Sequence, residues 1–182
     1  MARSQTGRQA KRPDKTVRHR SEDGHIRALR VHLVNLLTKE QAHPGFDRVL
    51  DDFPAALRGV KVAGSPHTPW QLLEHLRIAQ WDILEFCRNS HHISPPFPEG
   101  YWPPTAAPPD ATAWERSVSE FQADRDAMVA LVKNPRADLF ARIPHGEGQT
   151  VLREAMLVAD HNAYHLGQMV LLRRLAGSWD PD

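Results

Sequence analysis

"SPHTPWQLLEHLRIAQWDILEFCRNS", residues 65–90, carries its own start signal for a helix. Thr68 can act as N-cap, Pro69 takes the first helical position, and Gln71 stands three residues after the cap. That is a capping box with proline where its missing N–H costs nothing. Leu72, Leu76, Ala79, Ile83 and Phe86 then form one apolar stripe, and the pattern fades near Asn89. A capped helix of this length with one apolar face must pack that face on something, and the rest of the chain supplies only more helices.

Upstream, a helix is predicted from near Asp23, with Ile26, Leu29, Leu33, Leu36 and Leu37 at helical spacing, ending before His43-Pro44-Gly45. Phe46, Val49, Leu50 and Phe53 predict one or two further turns, closed by Pro54. Downstream, "TAWE" at 112–115 reads as a second capping box, opening a helix whose Trp114, Val118, Phe121, Met128 and Val132 share a face. The last helix is predicted from about Thr150 to Ala176, stopped by Gly177. No alternating strand pattern and no internal repeat occur. The fold class implied is all-α, a four-helix bundle.

Residues 94–109, "SPPFPEGYWPPTAAPP", hold seven prolines and read as a stiff loop folded over the body. Phe97, Tyr101 or Trp102 are the residues to pin it.

The chain has 182 residues, 41% of them hydrophobic and 25% charged, which suits a single domain over residues 22–178. Net charge is +1, but residues 1–20 hold seven basic residues against Asp14 alone, 7 − 1 = +6. The remainder has 16 basic and 21 acidic residues, or −5. Residues 1–21 are thus expected to be a disordered basic arm, and binding of nucleic acid is not favoured. The arm has no apolar core, so it is not read as a secretory signal, and no apolar run reaches membrane-spanning length. Cys87 is the only cysteine, which excludes an intrachain disulfide and fits a reducing cytoplasm; a small core residue is the expectation for it.

"LVADHNAYHLGQMVLLRRLAG", residues 157–177, raises the functional question. His161 and His165 lie on one face of a helix, close enough to share an ion. The chain has eleven histidines, so one such pair is weak evidence by itself. On a helical wheel Leu152, Met156, Ala159, Ala163, Leu166 and Val170 form a stripe nearly opposite the pair. The pair is therefore either a solvated face or a site. The helix is apolar almost all round, so burial on two sides is expected, one facing the bundle interior and one a subunit interface.

An ion needs at least three protein ligands, so a third must come from another helix. His75, bordering the stripe between Leu72 and Ala79, is the candidate. His67 could cap the helix or line the cleft, while His91, His92 and His145 need no function. The pattern H-E-x-x-H is absent, because Asn162 follows the first histidine. Glu154 falls on the same stripe two turns earlier and is expected to be exposed. Arg125 interrupts the apolar face of the third long helix; it either snorkels to solvent or holds a substrate carboxylate. Trp70 and Trp102, with Tyr101, either wall a substrate cleft or simply pack.

"PHTPWQLLEHLRIAQWDILEF", "EGYWP" and "DHNAYHLGQMVLLRRL" together resemble the DinB-like, or YfiT-like, superfamily of metal-dependent enzymes, a family distinct from the DNA polymerase that shares the name. The resemblance runs over roughly residues 23–176. It implies a four-helix bundle, often dimeric, with a divalent metal held by one histidine of the second helix and two of the last. Those positions are His75, His161 and His165. Relatives include thiol-dependent S-transferases and a mycothiol-dependent isomerase. The expectation is a metalloenzyme whose ion, zinc, nickel or iron, activates a low-molecular-weight thiol or water against a small-molecule substrate. The rival is a non-catalytic metal- or ligand-binding bundle with a stress-response role.

Overall fold

The computed structural model describes residues 15–179. Of the arm expected at 1–21, residues 1–14 lie outside the described residues. Five α-helices follow one another: α1 (Lys15–Thr38), α2 (Phe46–Leu50), α3 (Pro69–Arg88), α4 (Ala113–Lys133) and α5 (Val151–Leu175). Single 3₁₀ turns fall at Ala55–Leu57 and Glu99–Tyr101. Among the described residues there is no strand, only an isolated bridge between Arg142 and Thr150. The fold is all-α. None of these helices is long and apolar enough to cross a membrane.

α3 begins as its sequence requires. The Thr68 hydroxyl accepts from Gln71 N–H, and the Gln71 side chain accepts from Thr68 N–H. The same Thr68 hydroxyl donates to Ala106 O at 2.6 Å, and Trp70 Nε1 donates to Thr105 Oγ1 at 3.1 Å. One cap thus starts the helix and staples the far end of the Pro-rich loop to it. α5 is capped by Thr150, which accepts from Arg153 N–H. Two expectations need correction. α4 has no capping box: the Thr112 side chain makes no cap bond, the carboxylate of Asp110 holds Thr112, and Glu115 reaches instead to Arg58 at 2.7 Å. α1 opens at Lys15 rather than near Asp23.

α3 packs on α4 and α5, and α1 packs on the same two helices from the other side. The core they enclose has two parts. Phe46, Phe53, Trp70, Leu72, Leu76, Trp114, Phe121, Leu166 and Met169 fill one. Phe121 stacks on Phe46 there at 3.8 Å. Leu33, Leu84, Met128, Val132, Ala155 and Val158 fill the other.

Between the two, α3 and α5 face each other with polar residues. Gln80, 1% exposed, donates to Phe121 O at 2.7 Å and accepts from Asn162 Nδ2 at 3.0 Å. A buried side-chain amide this fully used costs little, because each polar atom has a partner. His75, His161 and His165 sit at this break in the core.

The inward face of α5 is therefore the histidine face. Met156, on the stripe opposite the histidines, is 54% exposed, whereas Val158, His165, Met169 and Leu172 are buried. A helix apolar on nearly every side leaves the wheel nothing to choose with; the polar groups offered by α3 decide. Glu154 follows from the same rotation. Expected to be exposed, it is buried and paired with Arg153 at 2.7 Å.

Candidate metal centre

α3 supplies His75, and α5 supplies His161 and His165 one turn apart. One nitrogen from each ring lies within 4.8 Å of the other two. His161 Nε2 and His75 Nε2 lie 3.1 Å apart. Three nitrogens each about 2.0–2.1 Å from one ion would stand about 3.4 Å apart, so side-chain adjustments of about an ångström would seat an ion.

The second ring nitrogens fix which atoms face inward. His75 Nδ1 lies 2.9 Å from Tyr101 O. A carbonyl only accepts, so Nδ1 carries the proton and the Nε2 lone pair is free. His165 Nδ1 lies 2.9 Å from Gln168 Oε1, which fixes that ring the same way. With His75 Nε2 as an acceptor, the 3.1 Å contact is a bond donated by His161 Nε2–H.

Burial keeps these rings neutral. Desolvation, reinforced by its neighbours His165 and His75, pulls His161 down to about 4, against a smaller opposing effect of the Asn162 side chain. His75 and His165 are lowered by burial too, opposed by Tyr101 O and Gln168 respectively. A divalent ion requires neutral imidazoles with lone pairs aimed at it; His75 and His165 present theirs, and His161, already neutral, would do so once its proton moves from Nε2 to Nδ1. The residues fit the group that the sequence implies.

The surroundings are aromatic. Trp102 lies between two imidazoles, stacked on His75 at 4.0 Å and on His67 at 3.8 Å, with interplanar angles of 3° and 11°. Tyr164 meets His165 edge-on at 4.8 Å.

A model of the DinB superfamily matches residues 27–169, from within α1 to beyond both histidines of α5. The chain belongs to the DinB superfamily. No curated protein and no solved structure matches it.

In this DinB-superfamily chain, the other expected site residues are dispersed. Trp102 stands at the cluster. Trp70 is buried in the apolar core with its N–H on Thr105. Arg125 pairs with Asp47 at 2.9 Å and lines a cavity of about 360 Å³ between α1, α4 and α5. None of the three histidines lines that cavity, although Asn162, the residue between them in sequence, does.

Three residues hold His75 in place, and of these the sequence singled out only Tyr101, as a pin of the loop or a cleft wall. Asp82, 8% exposed, accepts from Tyr101 O–H at 2.6 Å and from His92 Nε2 at 2.7 Å. The Tyr101 phenol is pushed up to about 12 by burial and by this carboxylate, so it remains a donor. Tyr101 then presents its backbone carbonyl to His75 and brings Trp102 against it. The one readable signal was Asp82 itself, a carboxylate set between Trp81 and Ile83 on an otherwise apolar stretch.

Proposed function

We propose that this protein is a metal-dependent enzyme in which His75, His161 and His165 hold one divalent ion and leave at least one position open to a small-molecule thiol or to water. The observation that carries the reading is the convergence of three neutral imidazoles, two of which, His75 and His165, have their outward nitrogens tied to Tyr101 and Gln168. When bound, such an ion lowers the pKa of a coordinated thiol or water toward neutrality.

The chain's own groups do the rest. Tyr101 O and Gln168 orient two rings, burial keeps all three unprotonated at neutral pH, and Trp102 shields one side from water. The glutamate that would serve as general base in H-E-x-x-H is replaced by Asn162, and Glu154 is engaged by Arg153. Thiol transfer, in which the thiolate is itself the nucleophile, therefore suits the site better than hydrolysis through a general base.

The test uses untagged protein. Zinc, nickel and iron contents and their affinities are measured for the natural chain and for His161→Ala/His165→Ala. Stoichiometric metal lost in the double variant supports the site, and unchanged metal removes it. Turnover is then sought with electrophiles and a panel of cellular thiols. The missing general base also favours the second reading, a metal- or ligand-binding bundle of the stress response, and bound metal with no thiol transfer or hydrolysis decides for it.

The proposal includes a homodimer, with Met156 and Tyr164 as exposed apolar residues of α5, checked by sedimentation. It also includes a cytoplasmic location, consistent with the single thiol.

A further inference from the structure

Beside the histidine cluster lies a cavity of about 280 Å³ between the 63–67 turn and the last turns of α5. It is an open cleft walled by the buried Leu72 and Leu172 and the exposed Leu171 and Leu175, and its polar side chains are Ser65, His67 and Gln168. The last two point back to the candidate centre. Gln168 accepts from His165, and His67 stacks on the face of Trp102 opposite to His75. No charged side chain lines the cavity.

Its size is about twice that of a 150 Å³ apolar cavity that admits benzene, and it is at the lower limit of whole-ligand pockets. It suits one substituted ring or a short alkyl group, not an entire substrate. An apolar wall without a cation offers a carboxylate no compensation for lost hydration, so charge on that group is disfavoured. Arg125, the residue that could have held a carboxylate, faces the other cavity and is paired with Asp47.

We infer that this cavity receives a neutral apolar group, an aryl or short alkyl substituent, of the molecule whose reactive end meets the three histidines. The inference rests on the proposed metal site for its second half only, so its two halves are tested separately.

Metal-free full-length protein is titrated with 2-phenylethanol and with phenylacetate, and binding is followed by NMR of the Gln168 side-chain amide and the leucine methyls. The alcohol should bind saturably with shifts at Gln168 and Leu172, and phenylacetate at least tenfold more weakly. Ala63→Trp, an exposed turn position lining the cavity, should abolish the shifts while leaving zinc affinity unchanged. Equal affinity for the two probes, no saturable binding, or shifts confined to the Arg125 cavity would overturn the inference. So would binding lost on raising protein concentration, which would make this surface a contact between copies.

Zinc-loaded protein should then prefer 2-phenylethanethiol over 2-phenylethanol at least tenfold, a preference absent without zinc. Equal affinities on the zinc-loaded protein would detach the cavity from the metal site. Failure to take up zinc would remove the proposed function while leaving the alcohol result standing.

Discussion

Replacing Tyr101 by Phe tests how the Pro-rich loop serves the centre. The substitution removes one hydroxyl and keeps the ring. Asp82 loses a donor at 2.6 Å but keeps His92 at 2.7 Å, so its buried charge is not stranded. A hydrogen bond to a charged group contributes about 1.5–3 kcal/mol. Tyr101 is only half-buried, so water can replace part of the loss, and the lower figure applies. For a domain of this size that is a fall in Tm of about 3–6 °C. The loop segment that it releases carries the carbonyl bound to His75 Nδ1, and loss of such an outer partner weakens metal binding by about 10–100-fold. Thermal unfolding followed by circular dichroism reads the first effect, and zinc competition with a chromophoric chelator reads the second. Ring ¹⁵N shifts of His75 add a signature, since freeing Nδ1 lets the neutral tautomers mix. A lowered Tm with unchanged zinc affinity and unchanged His75 shifts would refute the role given to the loop. A Tm within 1 °C of the natural chain would refute the bond to Asp82.

Three further outcomes are expected. Metal-free protein should lose stability as pH falls from 6.5 toward 4, because the unfolded chain protonates His161 near its ordinary value while the folded chain holds it at about 4; urea midpoints in that window should fall more steeply for the natural chain than for His161→Gln, and parallel curves would contradict it. Cys87, whose thiol burial and nearby Glu154 push up to about 12, should react with iodoacetamide at pH 8 at least about a hundredfold more slowly in the folded than in the unfolded protein, and equal rates would place the thiol at the surface. Thr68→Ala removes a capping box and the bond to Ala106 together, so its cost should exceed the about 1 kcal/mol typical of a cap and should exceed that of Thr150→Ala, whose side chain caps only its own helix; equal losses in denaturant titrations would show the loop staple to be inert.

What could be read in advance followed the range of each interaction. The start of α3 depends on four consecutive residues, and Thr68-Pro69-Trp70-Gln71 form the cap that their types require. The lengths of the long helices likewise follow local punctuation, Pro135 after α4 and Gly177, at φ +68°, after α5. Thr112 shows the limit of that logic. Its sequence has the cap pattern, but Asp110 offers a carboxylate two residues earlier and Arg58, from a distant segment, takes Glu115. A motif states what a residue can do, and a charged neighbour elsewhere in the chain decides what it does.

The site divides along the same line. Two of its imidazoles are a turn apart and visible from spacing, but which way they point was not, because α5 has apolar residues on every side. The rotation is set by pairings between helices: Asn162 with Gln80, and His161 with His75. These put a polar layer across the core where leucines would otherwise meet, and the register that pairs Asn162 Nδ2 with Gln80 Oε1 is favoured over one that leaves both unpaired, although Asn162 Oδ1 is buried without a partner. A slip of α5 by one residue would set Ala163 against Gln80 and bury an unpaired amide at about 1–3 kcal/mol. The same contacts that bring the histidines together thus also fix the rotation of the helix that carries them, so Gln80→Leu should disturb the centre from one helix away, weakening zinc binding although the hydrogen bonds of residue 80 run to Phe121 and Asn162 and not to the three rings. Zinc affinity unchanged in Gln80→Leu, with the fold intact by circular dichroism, would show that apolar packing alone sets the rotation.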